Sequence, residues 1–192
     1  MSEEVIQYFA YGANRDSRMM KAITGSKELV GRQGTLKGYT LCVQKLNQIP
    51  DSVSETSPAP ISPRALLKES WPDTFESYII KPDPNGEVVG TIWKPTSLQR
   101  ELVRDWELVD FGWYKDINTS AVTADGQVIQ VQTEGLREGQ EIDREVDGHN
   151  YETWLSKPGD FERVAEKARR EYIERISQTQ KEGPSKTPLK EA

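Results

Sequence analysis

The sequence has 192 residues, 35% of them hydrophobic and 8% aromatic, which suits one core rather than two. A formal net charge of −6 with Lys and Arg scattered among acids leaves no basic stripe for a phosphate backbone, so nucleic acid is not an expected partner. One cysteine, Cys42, excludes an internal disulfide, and one histidine, His149, argues against Cys/His zinc, multi-histidine metal sites and histidine-based triads. No cofactor or metal is expected, and acid–base chemistry falls to a carboxylate. Met1-Ser2-Glu3-Glu4 lacks the basic-then-apolar pattern of a signal peptide, and no apolar run is long enough to span a bilayer. The expectation is a soluble cytoplasmic protein without a membrane partner.

In chain order, Val5 to Tyr11 reads as a buried strand running into a tight turn at Gly12. Asn14 and Asp16 offer caps for a short helix carrying Met19, Met20 and Ile23, closed by Gly25. Leu36 to Leu46 alternates as a half-buried strand does. Residues 48–72 hold five prolines among serines and acids, which predicts a long loop. Asn85-Gly86 predicts a hairpin between strands at Phe75–Lys81 and Glu87–Lys94, and Asp125-Gly126 predicts a second between Tyr114–Thr123 and Gln127–Glu134. Between them, Thr96-x-x-Gln99 has the form of a capping box ahead of a helix with Leu98, Leu102 and Trp106 on one face. Phe161, Val164, Ala165, Ala168, Tyr172 and Ile176 form the apolar stripe of a last helix, N-capped by Asp160 and packed on the sheet. The polar stretch 178–192 predicts a disordered tail, leaving one domain over residues 1–177. This order suggests an α+β domain whose mixed sheet curls toward a small barrel.

Two segments have chemical potential. At Tyr11-Gly12-Ala13-Asn14 a strand ends, a glycine allows close approach to the backbone, and a helix begins, so amides and a helix dipole point at one spot. The plainer reading is a tight strand-to-helix turn. In Trp106-Glu107-Leu108-Val109-Asp110-Phe111 an acid stands among large apolar residues, where desolvation raises a carboxyl pKa toward the neutrality a general base needs. Its plainer reading is a solvated helix end.

Taken in order, Tyr8 to Asn14, Pro82 to Trp93, and Trp106-Glu107 with Gly112-Trp113-Tyr114 resemble the γ-glutamylcyclotransferase family, over roughly Val5 to Ile176. The resemblance implies a small mixed β-barrel with flanking α-helices and a small-molecule γ-glutamyl substrate. It makes Glu107 the catalytic acid and Tyr11, Gly12, Ala13 and Asn14 the substrate cradle, with Tyr114 and Tyr151 matching aromatic positions near the pocket. The chain departs from the family pattern at Ala13, where serine is common, at Arg15, where the residue is usually apolar, and at Leu108, where glycine often follows the acid.

In the implied reaction the substrate α-amine attacks its own γ-carbonyl, closing 5-oxoproline and expelling an amine, with Glu107 carrying the proton. The Gly12, Ala13 and Asn14 amides then face either the carbonyl oxyanion or the substrate α-carboxylate. The alternative is a non-catalytic relative that binds a small acidic metabolite or a protein. A buried, pocket-facing Glu107 of raised pKa separates the enzyme from the binder.

Overall fold

The computed structural model describes residues 6–183. Six strands, β1 (Tyr8–Ala10), β2 (Arg32–Lys45), β3 (Glu76–Trp93), β4 (Tyr114–Thr123), β5 (Val128–Leu136) and β6 (Arg144–Val146), are joined with four helices. The helices are α1 (Ser17–Thr24), α2 (Pro63–Lys68), α3 (Ser97–Trp106) and α4 (Pro158–Lys181). The ladder runs β3-β1-β5-β4-β2 and returns from β2 to β3, closing a five-stranded barrel. β6 continues the β4 side of β2, pairing at Leu41, Cys42 and Val43. All neighbours are antiparallel except β1 and β5, which meet in parallel at the single pair Tyr8↔Gln132.

Strand alternation divides the apolar residues into two cores. Phe9, Leu36, Leu41, Ile80, Val88 and Ile92 fill one inside the barrel. Tyr8, Ala10, Cys42, Ile79 and Trp93 project outward and meet Met19, Met20 and Ile23 of α1, Leu102 and Val103 of α3, and Phe161 of α4. The second core, between barrel wall and helices, is where the candidate site lies.

The expected hairpin at Asn85-Gly86 does not form. β3 runs unbroken from Glu76 to Trp93 along β2, pairing Lys45↔Glu76 through Arg32↔Ile92, with a register shift between Lys37↔Glu87 and Tyr39↔Pro82. Residues 83–86 therefore bulge opposite Gly38, which takes φ +87°. Gly86 is required there because a Cβ would lie 2.2 Å from the Tyr39 carbonyl oxygen. The bulge also houses Pro84, and Pro82 stands at its edge as the first pair beyond the register shift. The Asp125-Gly126 turn does form, with Gly126 at φ +84° between β4 and β5.

Three helix ends are also informative. Thr96 and Gln99 make the reciprocal capping box at the start of α3, as the spacing predicts. α1 is capped by Asp16, whose carboxylate accepts from the Arg18 N–H, and is closed by Gly25 in the left-handed region; Asn14 serves elsewhere. α4 begins at Pro158 behind Lys157, with Asp160 inside the first turn rather than at the N-cap, because proline at the first helical position already fixes the entry. α4 packs on α1 and α3 and reaches the barrel through them, not by lying on the sheet. It continues to Lys181, past the expected start of the tail at Gln178, and residues 184–192 of that tail lie outside the described residues. Within the proline-rich stretch 48–72, the short helix α2 was not expected; Ser62 caps it by accepting from Ala65, and Pro63 occupies its first position.

Candidate active site

A cavity of about 180 Å³ opens between the end of β1, α2, α3 and α4. Its polar end is built from the two segments that stood out in the sequence. After β1 the chain makes a 3-10 turn over Gly12–Arg15, which leaves the Gly12 and Ala13 amides without partners in the turn itself. Gly12 takes φ +66°, and a Cβ there would lie 2.9 Å from the Tyr78 ring, so no other residue fits without strain.

Glu107 is the last residue of α3's final turn, its N–H donating to the Val103 carbonyl at 2.9 Å. Leu108 then adopts φ +50°, the one positive φ outside glycine among the described residues. A side chain in this region costs roughly 1–2 kcal/mol. Leu108 is only 7% exposed, and burying a leucine side chain contributes about 1.5–3 kcal/mol, enough to offset the strain. The left-handed step turns the chain sharply after the helix and leaves Glu107 facing the cavity. Leucine here occupies a conformation usually left to glycine.

The Glu107 carboxylate accepts a 2.7 Å hydrogen bond from Asn14 Nδ2, and the same amide nitrogen donates to the Tyr8 hydroxyl at 3.0 Å. Asn14 is fixed from behind because its carbonyl accepts from Trp93 Nε1 at 2.9 Å. Burial pushes the Glu107 carboxyl up to about 8, with the nearby Glu134 charge adding to the rise, while the Asn14 hydrogen bond and Arg100 oppose it. Glu134 is itself held at 2.5 Å by Arg100, and both side chains are almost fully buried. Arg100 also lies 4.8 Å from the centre of the Tyr8 ring and donates to Gln132.

The structure brings Tyr11, Gly12, Ala13, Asn14 and Glu107 together on the cavity wall. Tyr11 donates its hydroxyl to the Glu134 carbonyl at 2.7 Å and so presents its ring rather than its oxygen. Tyr114 and Tyr151 do not line the cavity. Tyr114 is buried and its hydroxyl is committed to the Tyr78 carbonyl at 2.5 Å and to Ser77. Tyr151 donates to the Val89 carbonyl, and the Arg15 guanidinium stacks 3.8 Å above its ring. Arg15 also donates to the Tyr151 carbonyl and to Thr153, tying the 151–155 segment to the Gly12 turn.

Sequence reasoning missed Tyr8, Arg100 and Glu134, and it missed the apolar half of the cavity. Tyr8 had one signal: alternation places it opposite Phe9, on the face that meets the helices. Ile61, Leu66, Leu67 and Trp71, from the proline-rich stretch, form the far wall with Phe75 and Phe161. Among the described residues, no group of three or more His, Cys, Asp or Glu converges as a metal ligand set, and no helix is long and apolar enough to cross a membrane.

The fold is thus an α+β one, a closed mixed barrel with flanking helices and a buried carboxylate at the base of a cavity. Neither a protein-family model nor a curated protein matches the chain. Among solved structures, it is similar to a gamma-glutamyl cyclotransferase at TM-score 0.54 and 17% identity, over 98% of this chain and 94% of that one. It is equally similar to an uncharacterized protein from Homo sapiens, at TM-score 0.54 and 17% identity over 99% and 95% of the two chains. The chain has the γ-glutamylcyclotransferase-like fold.

Proposed function

We propose that this protein cyclises a γ-glutamyl amide to 5-oxoproline and releases an amine, with Glu107 as the proton carrier. The observation that supports this reading most is the Glu107 carboxylate itself: it faces the cavity, has a pKa near 8, and is oriented by Asn14 beside the Gly12–Ala13 amides. A protein that only binds has no use for a carboxyl group at the cost of desolvating it.

The reaction needs no protein nucleophile. Substrate folding brings the α-amine onto the γ-carbonyl carbon, a proximity effect worth roughly 7–11 kcal/mol when the geometry is right. As the C–N bond of the ring forms, Glu107 accepts the amine proton. It then passes that proton to the departing nitrogen as the original amide bond breaks, so the enzyme ends as it began. The Gly12 amide is directed at the Tyr151 hydroxyl, which leaves the Ala13 amide to face either the carbonyl oxygen, as its charge grows, or the α-carboxylate. Tyr114 and Tyr151 act through the wall: Tyr114 anchors β3 at Tyr78, and Tyr151 carries Arg15.

The test is release of 5-oxoproline by purified protein from γ-glutamyl dipeptides, glutathione and γ-glutamyl amines, with Glu107→Gln alongside. The amide retains the oxygen that Asn14 donates to and loses the base, so turnover is expected to fall about 10²–10⁴-fold in a folded protein. Wild-type kcat/KM should rise about tenfold per pH unit below its pKa and level off above it, because only the ionised carboxylate accepts the proton. Equal turnover by Glu107→Gln would remove the residue from the mechanism.

A further inference from the structure

Resting on the cyclisation reading, we infer that the released amine is apolar and carries no carboxylate: the substrate class is a γ-glutamyl amide of an alkyl or aryl primary amine, not a γ-glutamyl amino acid or peptide. With the γ-glutamyl head at Glu107 and the Gly12 turn, the rest of the cavity is what remains for the leaving group. That part is lined by the aliphatic Ile61, Leu66 and Leu67 and the aromatic Trp71, Phe75 and Phe161. The aromatic part is preorganised. Trp71 stacks on Phe75 with ring centres 4.8 Å apart and meets Phe161 at 5.0 Å, so these rings need little ordering when a ligand arrives.

Charge points the same way. Besides Glu107, the described residues lining the cavity include four carboxylates, Glu69, Glu76, Asp105 and Glu171, against two cations, Lys167 and Arg175. Pairing removes charge of both signs: Arg175 holds Asp105 at 2.6 Å, Lys167 lies 3.8 Å from Glu171, and Arg144 holds Glu76 at 3.0 Å, which leaves Glu69 and Glu107 as the lining carboxylates without an ion pair among the described residues. Arg15 is committed to the Tyr151 ring and Thr153. An amino acid leaving group would bring its carboxylate into an apolar wall under an acidic rim, with no unmatched cation among the described lining residues to receive it. An alkyl or aryl amine meets no such penalty.

The experiment compares the γ-glutamyl amides of methylamine, butylamine and benzylamine with γ-glutamylglycine and γ-glutamylphenylalanine. Wild-type kcat/KM should rise about fourfold for each methylene from methyl to butyl. The benzylamide should exceed γ-glutamylphenylalanine at least about tenfold, since the carboxylate the latter would bury outweighs its one additional methylene. A flat alkyl series, or preference for the phenylalanine substrate, overturns the inference. Calorimetric binding of the same benzylamide and phenylalanine compounds to Glu107→Gln separates this idea from the catalytic one. Tighter binding of the benzylamide with no turnover by wild type would end the cyclisation reading and leave the apolar subsite standing; equal or reversed binding would end the subsite. Leu67→Lys should narrow the benzylamide preference by improving γ-glutamylphenylalanine, a gain that misfolding cannot imitate. Ile61→Lys serves in the same role if Leu67→Lys does not fold, and a folded variant with the preference intact overturns the assignment of that wall.

Discussion

Glu107 and Glu134 are both carboxylates taken from water, close enough for the charge of Glu134 to raise the Glu107 carboxyl, yet they are built for different ends. Glu134 has a guanidinium at 2.5 Å, and its partner Arg100 also touches Gln132 and lies 3.8 Å from Asp116. Burial raises its carboxyl and Arg100 opposes that shift. Glu107 receives only a neutral amide from Asn14 and no ion pair among the described residues. One acid is compensated and fixed; the other is left able to gain or lose a proton. The compensated acid also tunes the free one, because the Glu134 charge contributes to the raised pKa of Glu107.

That contrast can be broken from either side. The largest expected effect comes from Glu134→Gln, which strands a buried guanidinium with only Asp116 nearby. Urea unfolding should show a loss of about 3–5 kcal/mol. In whatever folded fraction remains, the acid limb of the rate profile should move below pH 8, since the charge that lifts Glu107 is gone and the Arg100 charge that lowers it is kept.

A second measurement reads the same carboxyl through stability. The folded-state pKa of Glu107 is raised from 4.5 to about 8, so its contribution to stability is fully present below pH 4.5 and is lost as pH rises through 8. Asp105, pushed from 3.8 to about 6 chiefly by burial, contributes in the same direction at lower pH and remains in either protein. Stability of wild type relative to Glu107→Gln should therefore fall between pH 4.5 and 8, with a slope of at most about 1.4 kcal/mol per pH unit. Parallel curves from pH-dependent urea titrations would mean that Glu107 is not shifted.

The smallest effect is expected from Asn14→Ala, which removes the donor to Glu107 and to Tyr8. The Asn14 hydrogen bond favours the carboxylate, so the acid limb should move upward and turnover at pH 7 should drop roughly tenfold. Recovery of turnover at higher pH would distinguish this proton effect from a damaged cradle.

The sequence made the free acid legible and hid the paired one, for a physical reason. Glu107 stands out because its neighbours are Trp106, Leu108, Val109 and Phe111. Glu134 lies in a strand whose inward positions are Ile129, Val131 and Thr133, so alternation assigns it to the solvent face, and Arg100 likewise falls on the polar side of an amphipathic helix. Both become buried where the Arg100 side chain of α3 reaches Glu134 and Gln132 of β5, a tertiary fact that neither periodicity contains. The two dipeptide turns carry the same lesson. Asp125-Gly126 forms its hairpin with β4 and β5 paired from Val122↔Val128 to Tyr114↔Leu136, whereas Asn85-Gly86 is overridden by the fourteen-residue β2, which holds both flanking segments in one continuous ladder. The apolar cavity wall was hidden in a stretch whose prolines correctly excluded strands but said nothing about what Ile61, Leu67 and Trp71 would cover.

The barrel's seam has a further consequence. β1 is three residues long, and its parallel contact with β5 has one ladder pair and the Gln132 N–H to Gln7 carbonyl bond, with side-chain bonds from Thr133 to the Phe9 carbonyl and from Tyr11 to the Glu134 carbonyl beside them. Tyr8, which steadies Asn14 and hence Glu107, belongs to that pair. Its partner is 124 positions further along the chain, among the most distant contacts the backbone makes. Closing so long a loop is entropically expensive, so this joint is expected to set late in folding and to breathe early in the native state. The proton-carrying centre is thereby tied to the joint that knits last, and hydrogen exchange at Gln132 reports on the integrity of both.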